Sequence, residues 1–393
     1  MKTALRKKLL LIAIVLILIA SLFMTACGKD STGGNNGISS TEFKVGYDDQ
    51  PFYLSRSTMT VTDGNGNYMF YAGVLYYYDN ASDKTVIVCN KPDCEHINNV
   101  DDSECNAFFP ESKFYIYNGI AFYDNSIYLL GQSGDGNKTS VSIYKVSKDG
   151  VQREEVCKLF STSDINTVGF FTVHRGYAFW SLFPEGSTQL YSMKLDDPGN
   201  INTVYEGEGL APDILAIAGS GDYMYFKYRD ATDKTYEKFD CTLYRTKLGS
   251  GSVEELTKCG DGFTVMGNTA FYISENKYLC AFDLNTREES KIYELTDNER
   301  SIVNDEKYIY LSNWDPIVTD RDYKIVVLSP SGDVVDTIST PECDFFIGGD
   351  SKNLFIESKE RGTDVLDKAS IGTGNHDWNK FFRIKDDGTV ILN

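Results

Sequence analysis

Short strands of alternating apolar and polar residues recur along the chain from residue 57 onwards. An aromatic strand opens each unit, as in Asn125–Leu129, Gly221–Phe226 and Asp305–Tyr310, and successive openings lie mostly about 40 to 50 residues apart. In most units a second strand, an Asp-Gly-type turn and a last short strand follow, which is typical of β-hairpins. Beyond residue 41 no segment keeps the 3.6-residue apolar period of a helix.

This repeat predicts an all-β fold, namely a β-propeller of about seven four-stranded blades, with six or eight as alternatives. The units are expected at 57–96, 117–158, 170–206, 216–258, 263–294, 302–340 and 345–393. In such a ring each blade buries both faces against its neighbours, and closure protects the blade edges. Two stacked β-sandwiches are the competing all-β arrangement, but they give no reason for a repeat.

The first 26 residues have the pattern of a secretory signal. Lys2, Arg6, Lys7 and Lys8 form a basic start, and an apolar run from Leu9 to Phe23 follows. The run is close to the length of a membrane span, so an uncleaved anchor is the alternative.

The residues after this run indicate lipidation. Met24-Thr25-Ala26-Cys27 resembles the lipobox of bacterial lipoproteins, which implies that Cys27 carries a diacylglycerol and becomes the mature N-terminus. Several acyl chains suffice for stable anchoring. The expected organisation is a signal peptide at 1–26, a flexible Gly-, Ser- and Asn-rich tether at 27–41 and the propeller at 42–393.

Composition narrows the class of partner. The sequence has 57 acidic and 38 basic residues, with a formal net charge of -19. Phosphate binding depends on clustered Lys and Arg, so a nucleic-acid partner is not expected. The 26 Tyr and 23 Phe favour strands, in agreement with the repeat.

One blade motif supports a family resemblance. A Tyr-Phe strand, a loop, Leu-Tyr-Arg-Thr-Lys-Leu at 243–248 and Gly-Ser-Gly at 249–251 resemble lipoproteins of unknown function that carry TolB-like propeller repeats. The resemblance covers residues 57 to 393. It implies the propeller fold and a place on the extracytoplasmic face of the cell membrane, but no reaction.

The longest loops predict a ligand face. With strands A to D counted from the propeller axis outward, the B–C and D–A connections emerge at one end of a blade and the A–B and C–D turns at the other. The B–C segments are expected at 131–141, 181–189, 227–241, 312–323 and 357–379, with the D–A connection 90–113 at the same end. Trp314, Trp378 and His376 are therefore candidate ligand-binding residues on the rim that holds His96. Capping of the blade core by the two indoles is the alternative.

A cysteine-rich segment offers a second kind of site. Cys89, Cys94, His96 and Cys105 form a C-x4-C-x-H-x8-C pattern, and three thiolates with an imidazole would complete a tetrahedral structural Zn²⁺ site. A disulfide that pins the loop and unpaired thiols are the alternatives. With Cys27 lipidated, eight of the nine cysteines remain, an even number that fits secretion.

A second cysteine pair follows from register. Cys241 and Cys259 are equidistant from Ser250 in the turn Gly249-Ser250-Gly251. Antiparallel strands joined there would bring them opposite each other, where a disulfide requires suitable Cβ geometry.

Catalytic patterns are scarce, so no catalytic residue is predicted. The sequence lacks G-x-S-x-G, a phosphate-binding G-x-x-x-x-G-K and H-E-x-x-H. The leading hypothesis is a lipid-anchored propeller that binds a small molecule, glycan or protein without catalysis. Two alternatives stay open: an extracellular enzyme acting on glycans, whose carboxylates would come from different blades, and a sensor or accessory subunit of a membrane complex.

Overall fold

A computed structural model describes residues 41–50, 59–71, 73–94, 105–109, 114–134, 139–162, 168–184, 186–260, 262–274, 277–296, 299, 301–313, 323–341, 343–358, 362–384 and 390–392. These residues belong to one compact unit, Ser40–Asn393. The predicted signal peptide, Cys27 and nearly all of the tether lie outside them. Within the described part, no helix is long and apolar enough to cross a membrane.

The chain forms seven antiparallel sheets, each built from strands consecutive in sequence. Blade 1 contains β1 (Thr60–Thr62), β2 (Gly66–Tyr71), β3 (Val74–Asp79) and β4 (Lys84–Ile87). Blade 2 contains β5 (Phe114–Tyr123), β6 (Ser126–Gly134), β7 (Thr139–Ser147) and β8 (Arg153–Thr162). Blade 3 contains β9 (Val168–His174), β10 (Tyr177–Leu182), β11 (Ser187–Lys194) and β12 (Ile201–Glu208).

The later blades follow the same plan. Blade 4 contains β13 (Asp213–Ser220), β14 (Tyr223–Ala231), β15 (Phe239–Lys247) and β16 (Val253–Lys258). Blade 5 contains β17 (Phe263–Met266), β18 (Thr269–Ser274), β19 (Tyr278–Asp283) and β20 (Glu289–Glu294), and blade 6 contains β21 (Ser301–Asn304), β22 (Ile309–Ser312), β23 (Lys324–Leu328) and β24 (Val334–Ser339). Blade 7 contains β25 (Cys343–Gly349), β26 (Asn353–Ser358), β27 (Gly362–Asp367) and β28 (Asn379–Ile384), with β29 (Val390–Leu392) as a fifth strand.

The prediction of an all-β propeller with seven blades is confirmed. Predicted and observed blades agree within a few residues at most of their ends, because the aromatic strands and turn residues mark each unit. The helical content of the described residues is almost nil, and one 3₁₀ turn at Lys368–Ser370 follows β27.

The hydrophobic core is divided into layers between the blades. Among the described residues, buried side chains form seven clusters, and each cluster joins two neighbouring blades. Tyr68 of blade 1 packs with Ile127 of blade 2, for example, and Phe179 of blade 3 packs with Met224 of blade 4. Each fully buried Leu, Ile or Phe contributes roughly 1.5–3 kcal/mol, so the faces between blades carry most of the stabilisation.

The outer strands are irregular. The pairing of the third strand with the fourth shifts register in blades 2 to 7. A β-bulge bends the strand and increases its twist, which makes an exposed edge a poor template for another chain.

Blade 7 meets blade 1 through side chains, because each described sheet is made of consecutive strands. The rings of Tyr78 and Phe381 lie 4.3 Å apart, edge to face. Asp350, which is buried, accepts a hydrogen bond from the Asn67 side chain of blade 1 at 2.5 Å. Its other oxygen accepts from the backbone N–H groups of Lys352 (2.7 Å) and Asn353 (2.6 Å). Asp350 therefore shapes its own turn and fastens the ring.

Asp350→Ala should lower the free energy of unfolding by about 2–4 kcal/mol, because it leaves buried N–H donors without an acceptor. Asp63→Ala is the control, since Asp63 accepts from the N–H groups of Asn65 and Gly66 in the equivalent turn and from the Tyr77 hydroxyl within blade 1. Denaturant unfolding of both variants measures the difference. Equal losses would show that the bond between blades adds no more than the bond to Tyr77 within one blade.

Candidate functional site

Two of the predicted ligand-binding residues lie at the end of the propeller opposite to the predicted one. The prediction of a B–C segment at 357–379 is wrong, because β27 lies inside it. Trp378 and His376 thus belong to the C–D connection of blade 7, at the A–B end, and they do not share the D–A end assigned to His96. His96 and Trp314 themselves lie outside the described residues.

The C–D connection of blade 7 clamps blade 6. His376 Nε2 lies 2.9 Å from Asp336 Oδ2, and the backbone N–H of Gly372 donates to the same oxygen at 2.6 Å. The indole of Trp378 donates to the carbonyl of Ser339 at 3.1 Å and packs against the cluster between blades 6 and 7. These contacts give both residues a structural role. Their ligand-binding role stays a prediction.

At the B–C end, the most fully described projection is a hairpin of blade 4. Strands β14 and β15 pair without a register shift from Tyr223 and Lys247 to Ala231 and Phe239. Beyond them the loop 232–238 is closed by a hydrogen bond from Thr232 N–H to the Lys238 carbonyl at 2.9 Å. We call this loop, with residues 229–231 and 239–240 and the neighbouring D–A connection 209–212, the blade 4 tip.

The two parts of the blade 4 tip are locked together. Asp230 Oδ1 accepts from the backbone N–H of Ala211 at 2.8 Å and from that of Ala231 at 2.9 Å. A Cβ atom at Gly209 would lie 2.0 Å from Asp230 Oδ2, so a larger residue there would displace the Asp230 carboxylate. The Arg229 guanidinium pairs with Asp213 at 3.1 Å and lies over the Phe239 ring, 4.5 Å from its centroid.

Apolar side chains are exposed on this rigid support. Leu210 is 44% exposed, Tyr236 is 54% exposed and Phe239 is 37% exposed. Tyr236 has a φ of 57°, in the left-handed region that non-glycine residues seldom adopt. Such backbone strain persists where the surrounding structure enforces it and concentrates at functional sites. The tip was found only in part from sequence: the loop at 227–241 was predicted, but its aromatic residues were not singled out.

The second cysteine pair lies at the base of the blade 4 tip. The N–H of Cys259 donates to the carbonyl of Cys241 at 3.1 Å, so the two residues face each other as predicted from register. Next to the turn, Thr246 pairs with Val253, which is half a residue out of the predicted register. A bulge at Leu256 then restores the register predicted around Ser250. The disulfide itself stays a prediction.

A site that sequence reasoning missed lies at the A–B end. The N-terminal segment 44–50 crosses the A–B turns of blades 2, 3 and 4. Gly46 accepts a bond from the N–H of Asp124 at 2.9 Å, and Tyr47 accepts from the N–H of Arg175 at 2.8 Å. Arg175 in turn pairs with Asp48 at 2.6 Å and with Asp222 at 2.7 Å. In the sequence, Arg175 is 127 residues from Asp48 and 47 residues from Asp222. Because the partners are so far apart, no local sequence pattern reveals this contact.

Asp49 and His174 form the buried part of this contact. The N–H of Asp49 donates to His174 Nδ1 at 2.9 Å, and His174 Nε2 lies 2.7 Å from the carbonyl of Gly221. A ring that accepts at Nδ1 and donates at Nε2 is the neutral tautomer. Burial lowers the pKa of His174 to about 4, against an opposing effect of Asp48.

The carboxyl group of Asp49 is perturbed in the opposite direction. Burial raises its pKa to about 6, although it accepts hydrogen bonds from the Thr172 hydroxyl and from the N–H of Gly219. Glu306, in the A–B turn of blade 6, shows a shift in the same direction, because burial and then the negative charges of Asp305 and Asp48 raise its pKa to about 7.

No protein-family model matches the chain, and no curated protein matches it significantly. Among solved structures, the chain is similar to one from a study of two prolyl endopeptidases, with a TM-score of 0.55 and 13% identity. That match covers 86% of this chain and 52% of the other, so the chain spans about half the length of that enzyme.

Two further structures have lower scores. BamB from Moraxella catarrhalis has a TM-score of 0.46 at 9% identity, over 86% of this chain and 94% of its own. The β-propeller domain of the Trilobed protease from Pyrococcus furiosus has a TM-score of 0.47 at 9% identity, over 68% of this chain and 83% of its own. Only the first of the three matches, with a TM-score above 0.5, supports the fold, and none of them bears on activity.

Asp49→Asn should make stability more sensitive to acid. His174 binds fewer protons in the folded state between pH 4 and 6.5, so its contribution to stability is lost as the pH falls through that window. Asp49 binds more protons in the folded state between pH 3.8 and 6, so acidification favours folding through this group. The two effects oppose each other in the wild type, and the asparagine variant keeps only the first.

Denaturant unfolding at intervals from pH 7 to pH 4 measures the two curves. Asp213→Asn, which changes a carboxyl group outside this contact, is the control. If the Asp49→Asn curve runs parallel to the wild-type curve, the two groups do not titrate as described.

Proposed function

We propose that the chain is a lipid-anchored, extracytoplasmic β-propeller of the TolB-like lipoprotein type that binds a ligand or a partner protein without catalysing a reaction. The observation that carries this proposal is the blade 4 tip, where Leu210, Tyr236 and Phe239 expose apolar surface on a hydrogen-bonded support. Solvent-exposed aromatic residues on a rigid frame contribute large contact area at small entropic cost.

The chemistry of the tip favours a partner with both apolar and polar faces. Charged residues of both signs lie next to the aromatic residues in the sequence of the loop: Asp233, Lys234, Glu237, Lys238 and Asp240. A sugar ring stacks on an aromatic side chain through its C–H face while its hydroxyl groups bond to such neighbours, and a protein surface offers a similar combination. Trp314, in the B–C connection of blade 6, belongs to the proposed face on sequence grounds.

A double variant tests the binding face. Tyr236→Ala with Phe239→Ala should weaken binding more than tenfold, because truncation of a central aromatic contact typically costs about 2 kcal/mol or more. The probes are an immobilised glycan array and a panel of small metabolites, applied to wild type and variant. A ligand whose affinity is the same for both proteins would contradict the proposed face.

Val334→Ala is the control for this experiment, because Val334 is 55% exposed on the outer strand of blade 6. Unfolding curves of all three proteins should coincide within about 0.5 kcal/mol, as expected for surface substitutions. A loss of binding in Val334→Ala would indicate a general defect and refute a specific role for the tip.

Cys27→Ser tests the anchor. The variant should accumulate as an unprocessed precursor or be released from the membrane, because it lacks the acyl chains. Detergent-free washing of membranes, followed by mass determination of the retained and released protein, distinguishes these states. A variant that lacks residues 1–26 and stays on washed membranes would rule out lipid anchoring.

A further inference from the structure

Three cysteine side chains meet at the joint between blades 1 and 2. The sulfur atoms of Cys89, Cys94 and Cys105 all lie within 4.8 Å of one another. Thiolates that share a tetrahedral Zn²⁺ ion at about 2.3 Å have sulfur atoms about 3.8 Å apart. Shifts of about 1 Å or less would therefore bring these sulfur atoms to metal-binding distances. Cys105 is 2% exposed, whereas Cys89 and Cys94 are half-buried free thiols.

The backbone holds the two ends of this D–A connection against strand β3. Leu75 accepts a hydrogen bond from the N–H of Val88 at 2.9 Å and donates its own N–H to the carbonyl of Ala107 at 2.9 Å. Val88 directly precedes Cys89, and Ala107 is two residues after Cys105. Between them, the N–H of Cys94 donates to the carbonyl of Lys91 at 3.2 Å and closes a turn. This turn brings the sulfur of Cys94 next to those of Cys89 and Cys105.

Blade 2 supports the backbone beside Cys89 and Cys105 from the other side. The carbonyl of Gly150 accepts from the N–H of Asn90 at 3.3 Å and from the side chain of Asn106 at 2.9 Å. The Arg153 guanidinium donates to the carbonyl of Cys105 at 2.9 Å. Gly150 has a φ of 70°, and a Cβ atom there would lie 2.7 Å from the Cα of Cys89. The cluster is thus held in place by both blades.

Backbone N–H groups support the sulfur atoms of the cluster. The N–H groups of Lys91 and Asn106 donate to the sulfur of Cys89, and the N–H group of Ala107 donates to the sulfur of Cys105. N–H donors to sulfur are the kind of supporting contact that metal thiolate sites use.

We propose that Cys89, Cys94 and Cys105 bind one Zn²⁺ ion, which fastens blade 1 to blade 2. Binding forms three metal–sulfur bonds, and the thiol protons leave to solvent. The fourth position of the tetrahedron is left for a water molecule. This inference does not depend on the proposed ligand face, because the cysteine cluster and the blade 4 tip belong to different blades.

Metal analysis of the untagged full-length protein tests the proposal. Protein solubilised in detergent and purified without chelator should contain one zinc per chain, and Cys94→Ser should lose most of it. Cys157→Ser is the matched control, because Cys157 is a free thiol of blade 2 that contacts Met193 instead of the cluster. This variant should keep its zinc.

Thiol counting on the wild-type protein avoids dependence on a variant that fails to fold. Removal of the metal by a strong chelator under anaerobic conditions should make three further thiols reactive and lower the melting temperature, and added Zn²⁺ should reverse both effects. Metal-free protein with these thiols already reactive would overturn the proposal. So would a disulfide between two of the three cysteines in protein that was never exposed to reductant.

Discussion

Closure of the ring is the constraint on which the rest of the structure depends. Each described sheet is made of strands consecutive in sequence, so among the described residues no shared strand joins the last blade to the first. The joint depends on the Tyr78–Phe381 contact and on Asp350, which reaches Asn67 while it shapes its own turn. Without this joint, blade 1 and blade 7 would each leave an apolar face exposed to water.

Packing between blades also explains where function can be placed. The seven hydrophobic clusters stabilise the ring, while the connections at its two ends are free to vary. The A–B end holds the N-terminal segment through Asp48, Asp49 and Arg175, and the B–C end of blade 4 presents exposed aromatic residues. The N-terminal segment therefore binds at one end, and the other end exposes the surface that we propose as a ligand face.

The same organisation explains why a bond within the connection that contains Cys89, Cys94 and Cys105 would stabilise the ring. A D–A connection joins one blade to the next along the chain, so a bond within it resists separation of those two blades. Between blades 1 and 2, hydrogen bonds from Leu75 and to Gly150 hold the segment where the three sulfur atoms meet.

The sequence alone determined the architecture, because strand alternation and turn chemistry are local properties. Aromatic strands such as Tyr223–Phe226 and turn residues such as Asp305 lie within a few positions of one another, so the repeat, the blade count and the facing of Cys241 and Cys259 could all be predicted. Lipidation of Cys27 was predicted from an equally local motif and stays a prediction. Tertiary structure decided the rest, because its contacts join positions far apart in the chain. Trp378 lies at the A–B end because β27 occupies part of the predicted loop. The hydrogen bond from Asp49 to His174 joins residues 125 positions apart in the sequence. Spatial proximity of this kind follows from ring closure and the stacking of blades, and no local pattern of residues encodes it.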